Sequence, residues 1–340
     1  MKFPSFPPSK RPRAILSPLR RSVVAALACL PLAMPAAAQN APYPDRPLQL
    51  VVPFPAGGPA DIVGRLYAQH LGKALGQHIV VENPAGAGGV IGTRGVAQAA
   101  PDGRTLLFGT TSTMVINELV MPNVPYEFAR DFSVIGLIAN APHVLAVRAN
   151  LPQKDVKALV EAAKAAPEKY TFATSGVGTI VQMGAELFQH EAGIKLLHVP
   201  FKGGGPATLA LLSGEVDMTV NDMTTLKTFF ADGRLRPLAV ANPQRLELLP
   251  DTPTFVEAGL PGVVSSTWWG LAVSSKTPDH IQKILGEAHA KVIADPQYKA
   301  RLAEMAVETL SLSPEQTAAF MRGENEKWAR IVKAAGIKVN

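Results

Sequence analysis

Short apolar runs alternate with amphipathic stretches along almost the whole chain, and this alternation constrains the fold more than any other feature. Runs at 48–52, 78–82, 105–110, 133–139, 143–148, 170–174, 195–200, 216–220, 236–241, 268–274 and 307–312 have the length and composition of buried strands. Between most of them, 60–75, 155–165, 179–192, 206–213, 278–294 and 314–334 carry apolar residues at helical spacing. The pattern predicts an α/β protein with mostly parallel sheets. In such sheets ligands bind beyond the carboxyl ends of the strands. The residues just after each strand are therefore the ones to inspect. Segments 133–148 and 268–274 flank the middle of the chain and are expected to cross from one domain to a second and back. Residues 235–262, rich in Pro and polar side chains, read as a long surface excursion.

The first strand and its loop, 48–61, read LQLVVPFPAGGPAD. Pro53, Pro55, Gly57, Gly58 and Pro59 stop the strand, and Val63, Leu66, Tyr67, Leu71 and Ala74 then mark one face of a helix. The first N–H groups of a helix lack internal acceptors and carry partial positive charge. Glycines beside them let an anion approach the backbone. Similar Gly-, Ser- or Thr-rich loops follow other strands, at 83–89, 110–113, 175–179 and 201–206, and Asn221-Asp222 follows the strand at 216–220. Only the 201–206 loop contains a cation, Lys202. A site built from these loops would hold an anion by hydrogen bonds and helix ends rather than by an ion pair. The plainer reading of the first loop is an ordinary turn, with Asp61 opposing the helix dipole. Asp222 either accepts a hydrogen bond from a ligand amine or hydroxyl or caps a helix starting near Met223. Trp268-Trp269 is either a wall of the cleft or core packing.

Enzyme motifs fail in detail. Gly86-Ala87-Gly88-Gly89-Val90-Ile91 has Ile where a dinucleotide fingerprint needs its third glycine, and no nucleotide P-loop occurs. Ser175 would need Gly at 173 to be a nucleophile elbow, where Ala173 stands. The histidines at 70, 78, 143, 190, 198, 280 and 289 form no metal or catalytic motif and read as structural. No cofactor and no metal are expected.

The N-terminus reads as a secretory leader over 1–38. Lys10, Arg11, Arg13, Arg20 and Arg21 precede an apolar core, Ser22 to Met34, and Ala36-Ala37-Ala38 offers a cleavage site before Gln39. Twin-arginine and lipoprotein variants are the alternatives, from Arg20-Arg21 and from Cys29. The formal charge of +6 comes entirely from this segment, which holds six basic residues and no acidic ones. The remainder is balanced, 27 against 27, so the basic pI gives no argument for nucleic acid. Cys29 is the only cysteine, so the mature chain has no disulfide framework and no thiol chemistry. About 300 residues remain, which suggests two domains with a ligand cleft between them.

The ordered set RPLQLVVPFPAGGPAD, VENPAGAGGVIG, PDGRTLLFGTTST, YTFATSGVGT, VPFKGGGPA and WWGLAVSSKTP resembles the Bug family, the extracytoplasmic solute receptors of tripartite tricarboxylate transporters. The likeness runs from Tyr43 to about Ile337. It implies a two-domain type II periplasmic-binding-protein fold, a Venus flytrap with two crossover strands. It implies a discontinuous first domain, 40–143 and 268–340, with a second, 144–267, inserted. It further implies a small carboxylate gripped by Phe54, Ala56, Gly57, Gly58 and Asp61 on one side and by Ser175, Gly178 and Thr179 on the other. Thr111 and Asp222 join the candidate set from the post-strand loops. Many relatives carry His where this chain has Gln182 and Met114, which implies a different or less polar ligand. The expected protein is a periplasmic monomer that performs no chemistry and delivers its ligand to membrane subunits. The rival readings are an α/β enzyme acting on small organic acids and a ligand sensor for a signalling partner.

Overall fold

The structure is a computed structural model in which residues 43–337 are described. The expected leader, 1–38, lies outside the described residues. The order is β1 Leu48–Val51, α1 Pro59–Leu75, β2 Ile79–Glu82, α2 Val90–Ala97, β3 Thr105–Thr110, α3 Asn117–Val120, α4 Phe128–Asp131, β4 Phe132–Arg148, α5 Val156–Ala165, β5 Thr171–Thr174 and α6 Ile180–Ala192. There follow β6 Leu197–Pro200, α7 Gly204–Ser213, β7 Met218–Asp222, α8 Met223–Ala231, β8 Leu235–Val240, β9 Ser266–Ser274, α9 Asp279–Ala294, α10 Pro296–Ala303, β10 Glu308–Thr309 and α11 Pro314–Ala335. A π-helical turn, Ser112–Ile116, joins β3 to α3.

β4 is the organising strand. From Phe132 to Pro142 it pairs with β9, and from His143 onward it pairs with β7 and β8. The sheet order is β2-β1-β3-β9-β4-β7-β5-β6, with β8 and β10 also on β4. The expected break between 139 and 143 is absent, and 133–139 and 143–148 form one strand. Pro142 ends the β9 register, where its lack of an N–H costs no ladder bond.

Pairing is mixed. β1 with β2 and β3, and β5 with β6 and β7, are parallel, as βαβ crossovers require. Pairs involving β4 or β9 are antiparallel. The two long strands that run through the middle of the sheet thus make the expected mostly parallel pattern a mixed one.

Each half of β4 lies over its own apolar cluster. One gathers Leu50, Val52, Val63, Tyr67, Leu71, Phe108, Trp269 and Leu285 beneath α1 and α9. The other gathers Leu145, Val147, Phe172, Phe188, Met218, Val220 and Phe255. Each large side chain buried in this way contributes about 1.5–3 kcal/mol. Leu238 and Phe255 correct the reading of 235–262 as a surface excursion. Their apolar side chains are buried, and Val240 bridges to Thr254. The expected strand 307–312 shrinks to Glu308–Thr309. α2 and α10 are too short for the helical pattern to stand out.

Candidate functional site

Four helices begin at one cavity. Its wall includes Gly58, Pro59 and Ala60 at the start of α1, Ile180 and Val181 at the start of α6, and Gly204, Gly205 and Pro206 at the start of α7. Asp222, the residue before α8, completes the set. Phe54, Pro55, Ala56, Thr110, Ser112, Ser175, Asn221, Thr267 and Trp269 close the remainder, around about 480 Å³ including the mouth. Among the described residues, the lining contains no Lys, Arg or His.

The local sequence explains how each loop is held. Gly57 has φ +77°, a conformation that glycine adopts without strain, and its N–H donates to Asp61 Oδ2 at 2.9 Å. Arg65 Nε donates to the same carboxylate at 3.0 Å. Burial raises the Asp61 pKa, but the hydrogen bonds from Arg65, Gly57 and Asn83 together outweigh it and hold the carboxyl below its usual range. Asp61 is therefore an ionised brace for the loop, and its carboxylate is already engaged.

The second loop is held in a similar way. Thr179 caps α6, its Oγ1 accepting from Gln182 N–H and donating to Gly176 O at 2.7 Å. Gly178 N–H donates to Gln182 Oε1 at 2.8 Å. Ile180 N–H donates to Ser112 Oγ at 2.9 Å, joining α6 to the loop after β3. The N–H groups of Ala60, Val181, Gly204 and Gly205 remain. All belong to first turns, where an α-helix offers no internal acceptor.

Of the ten sequence candidates, Phe54, Ala56, Gly58, Ser175 and Asp222 reach the cavity wall. Gly57, Asp61, Gly178 and Thr179 stand behind it and shape the loops. Thr111 does not reach it: its hydroxyl accepts from Trp268 N–H at 2.8 Å and donates back to Trp268 O. Its neighbours Thr110, the last residue of β3, and Ser112, the first of the π-helical turn, line the cavity instead. Gln182 and Met114 do not line the cavity either; Met114 is buried beneath Gly109 and Gly270. Lys202 lies on a neighbouring outer hollow with Gly86–Gly89 and Met121.

The two tryptophans divide the two readings between them. Trp268 is core, its Nε1 donating to Glu324 at 3.0 Å and its ring edge-on to Phe320. Trp269 stacks on Phe108 and forms cavity wall. Sequence reasoning named the loops that hold Asn221 and Gly203–Pro206 but took only Asp222 from them as a candidate, and it passed over Thr267.

Asp222 precedes α8 but makes no capping bond with its side chain. Burial pushes its carboxyl up to about 7, moderated by a hydrogen bond with Thr267. Beside it, His143 Nε2 lies 3.5 Å from Oδ1. Burial pushes that imidazole down to about 3, so it is neutral, bonded to Thr267 Oγ1 at 3.0 Å and Ser265 Oγ at 2.9 Å.

A family model described as "Tripartite tricarboxylate transporter family receptor" matches residues 63–337. The chain belongs to that family. BugT of Bordetella pertussis is 34% identical over 298 residues, covering 87% of this chain and 91% of that one. Among solved structures, an R. palustris protein with adipate superposes with TM-score 0.84 at 32% identity, covering 87% of this chain and 99% of the other. MatC of Rhodopseudomonas palustris with bound malate gives TM-score 0.80 at 32% identity, covering 85% and 100%. The fold is thus the two-domain periplasmic-binding-protein fold, and the chain is a solute-binding receptor of the tripartite tricarboxylate type.

Proposed function

We propose that the protein is exported to the periplasm by its N-terminal segment, captures a small carboxylate between two lobes and hands it to membrane subunits as a monomer without chemical change. The observation that carries this reading is a cavity at which α1, α6 and α7 begin and which, among the described residues, no cationic side chain lines. A carboxylate there accepts from first-turn N–H groups of Ala60, Val181, Gly204 and Gly205, aided by the positive ends of the helices. In a site shielded from water such bonds to an ionised acceptor are about twice as strong as neutral ones.

The lobes in this reading are 40–143 with 268–340 and the inserted 144–267. The switch of β4 partners at Pro142/His143 and the start of β9 at Ser266 support those boundaries. Phe54, Ala56, Gly58, Ser175 and Asp222 act as contacts. Gly57, Asp61, Gly178 and Thr179 act as loop supports. Closure brings Ser112 onto Ile180 and Pro55 onto Gly203, so ligand contacts stabilise the closed state over the open one.

The test is a thermal-shift screen of the mature protein against mono-, di- and tricarboxylates, with the matching amides as controls. An acid binding only the native state raises the melting temperature, by an amount equivalent to about 2.7 kcal/mol at a hundredfold excess over Kd. Shifts from acids but not amides are expected. Equal shifts from both would remove the anion site.

A further inference from the structure

Phe54, Pro55 and Ser175 line the cavity and also a second, outer hollow of about 1190 Å³ including its mouth. These three residues are the shared wall of the two spaces. Residues 85–89 and Met121 form one side of the hollow, and 175–177 with 200–203 form the other. The sides approach most closely at Gly88, which has φ +60°. A Cβ there would stand 2.8 Å from Met121 Cε and 2.9 Å from Val177 O, so the meeting point has room for glycine alone.

The two spaces differ in chemistry. The cavity presents first-turn N–H groups that have no internal acceptor. In the hollow the N–H groups of Ala85, Gly89, Phe201 and Gly203 already donate to the carbonyls of Asn83, Gly86, Thr174 and Ser175. The Ser175 hydroxyl donates to Thr179 Oγ1 at 3.2 Å. Phe54, Met121, Val177 and Phe201 give the hollow an apolar lining, and Val177 is 38% exposed. Among the described residues its lining holds no acidic side chain, and its one cation, Lys202, is exposed. An exposed cation in water adds little to the binding of an anion. Covering this lining with hydrocarbon is favourable, whereas a polar group placed there would give up water without gaining a partner.

We propose that the ligand is a monocarboxylate with an apolar tail, whose carboxylate sits at the helix N-termini while the tail passes Phe54 and Ser175 into the outer hollow. The inference rests on the carboxylate reading and narrows its ligand class. The half-buried Phe54 side chain borders both spaces and lies along the tail. Met121, Val177 and Phe201 then set the length and shape of tail that the receptor accepts. The amides select the acid and the hollow selects the hydrocarbon.

The test is calorimetric titration of the mature protein with butanoate, hexanoate, octanoate and octanedioate, repeated on Val177→Trp. Wild-type affinity is expected to rise about two- to fourfold per methylene from butanoate to octanoate, as burial of hydrocarbon requires. Val177→Trp fills the hollow and should lower octanoate affinity by about tenfold or more while leaving butanoate within about twofold. Should that variant not fold, Ala85→Trp fills the same hollow from the facing loop, at another exposed position. Affinity that falls beyond butanoate, or a chain-length profile that the filled hollow does not alter, overturns the tail and leaves the receptor reading standing. Octanedioate binding tighter than octanoate overturns it too, because the hollow would then hold an anion beside Lys202. Failure of every acid to bind removes the receptor reading and this inference with it.

Discussion

Asp61 and Gly57 form one device. The carboxylate of Asp61 holds Gly57 N–H, and Arg65 holds the carboxylate. Without that brace the loop gains freedom that ligand binding must remove. Asp61→Ala is expected to weaken carboxylate affinity by roughly tenfold, about 1.4 kcal/mol, with near-normal circular dichroism. Gly57→Val should do the same through φ: a β-branched residue at +77° is strained although the space beyond it is empty. Unchanged affinity in both variants, measured by calorimetry, would show that the loop plays no part. The sequence identified both residues, but as contacts rather than supports. It could not show that their polar groups bond to each other, because proximity at i and i+4 fits a dipole charge equally well. Thr111 fails for a similar reason. In the run of four hydroxyl residues, Thr110 to Thr113, only the backbone path decides which ones face inward.

At the scale of elements, glycine sets how closely the halves approach. A Cβ at Gly203 would sit 2.9 Å from Pro55, and one at Gly204 would sit 3.0 Å from Pro59. Gly203 also has φ +108°. Gly203→Ala is expected to hold the cleft open: ligand affinity drops at least tenfold, and small-angle scattering shows no compaction on adding ligand. Compaction equal to wild type would show that this approach does not limit closure. Most helices and strands were legible, because apolar spacing records which face each one buries. β4 was not read as one strand, because a proline inside an apolar run resembles a break until its partners are known. α2 and α10 are too short for periodicity to register.

At the scale of the whole molecule, buried histidines govern acid stability. Burial pushes His143 down to about 3 and His198 and His289 to about 4. In the unfolded chain each titrates near its ordinary value, about 6.5. Below that pH the unfolded state binds protons that the native state refuses, so stability is present above about 6.5 and is lost as pH falls toward 4. Asp222 acts in the opposite direction. Its native carboxyl, raised to about 7, holds a proton that the unfolded chain releases, so its contribution is lost as pH rises from about 4 to 7. The three histidines outweigh Asp222 together with Glu118 and Glu186, whose carboxyls burial raises less far, and the unliganded melting temperature should fall on acidification from about 6.5 to 4. Asp222→Asn removes the largest opposing group and should steepen that fall. A melting temperature flat across that range would contradict it. None of this was visible in the sequence, where the same histidines formed no motif.

The central claim is that main-chain amides at converging helix ends, not a cation, hold the acid. A crystal structure of the protein with a bound acid tests it most directly. One carboxylate is expected within about 2.7–3.1 Å of N–H groups among Ala60, Val181, Gly204 and Gly205, directly or through one water. A carboxylate paired with Lys202, Arg65 or another basic side chain, with those amides facing bulk solvent, would contradict it.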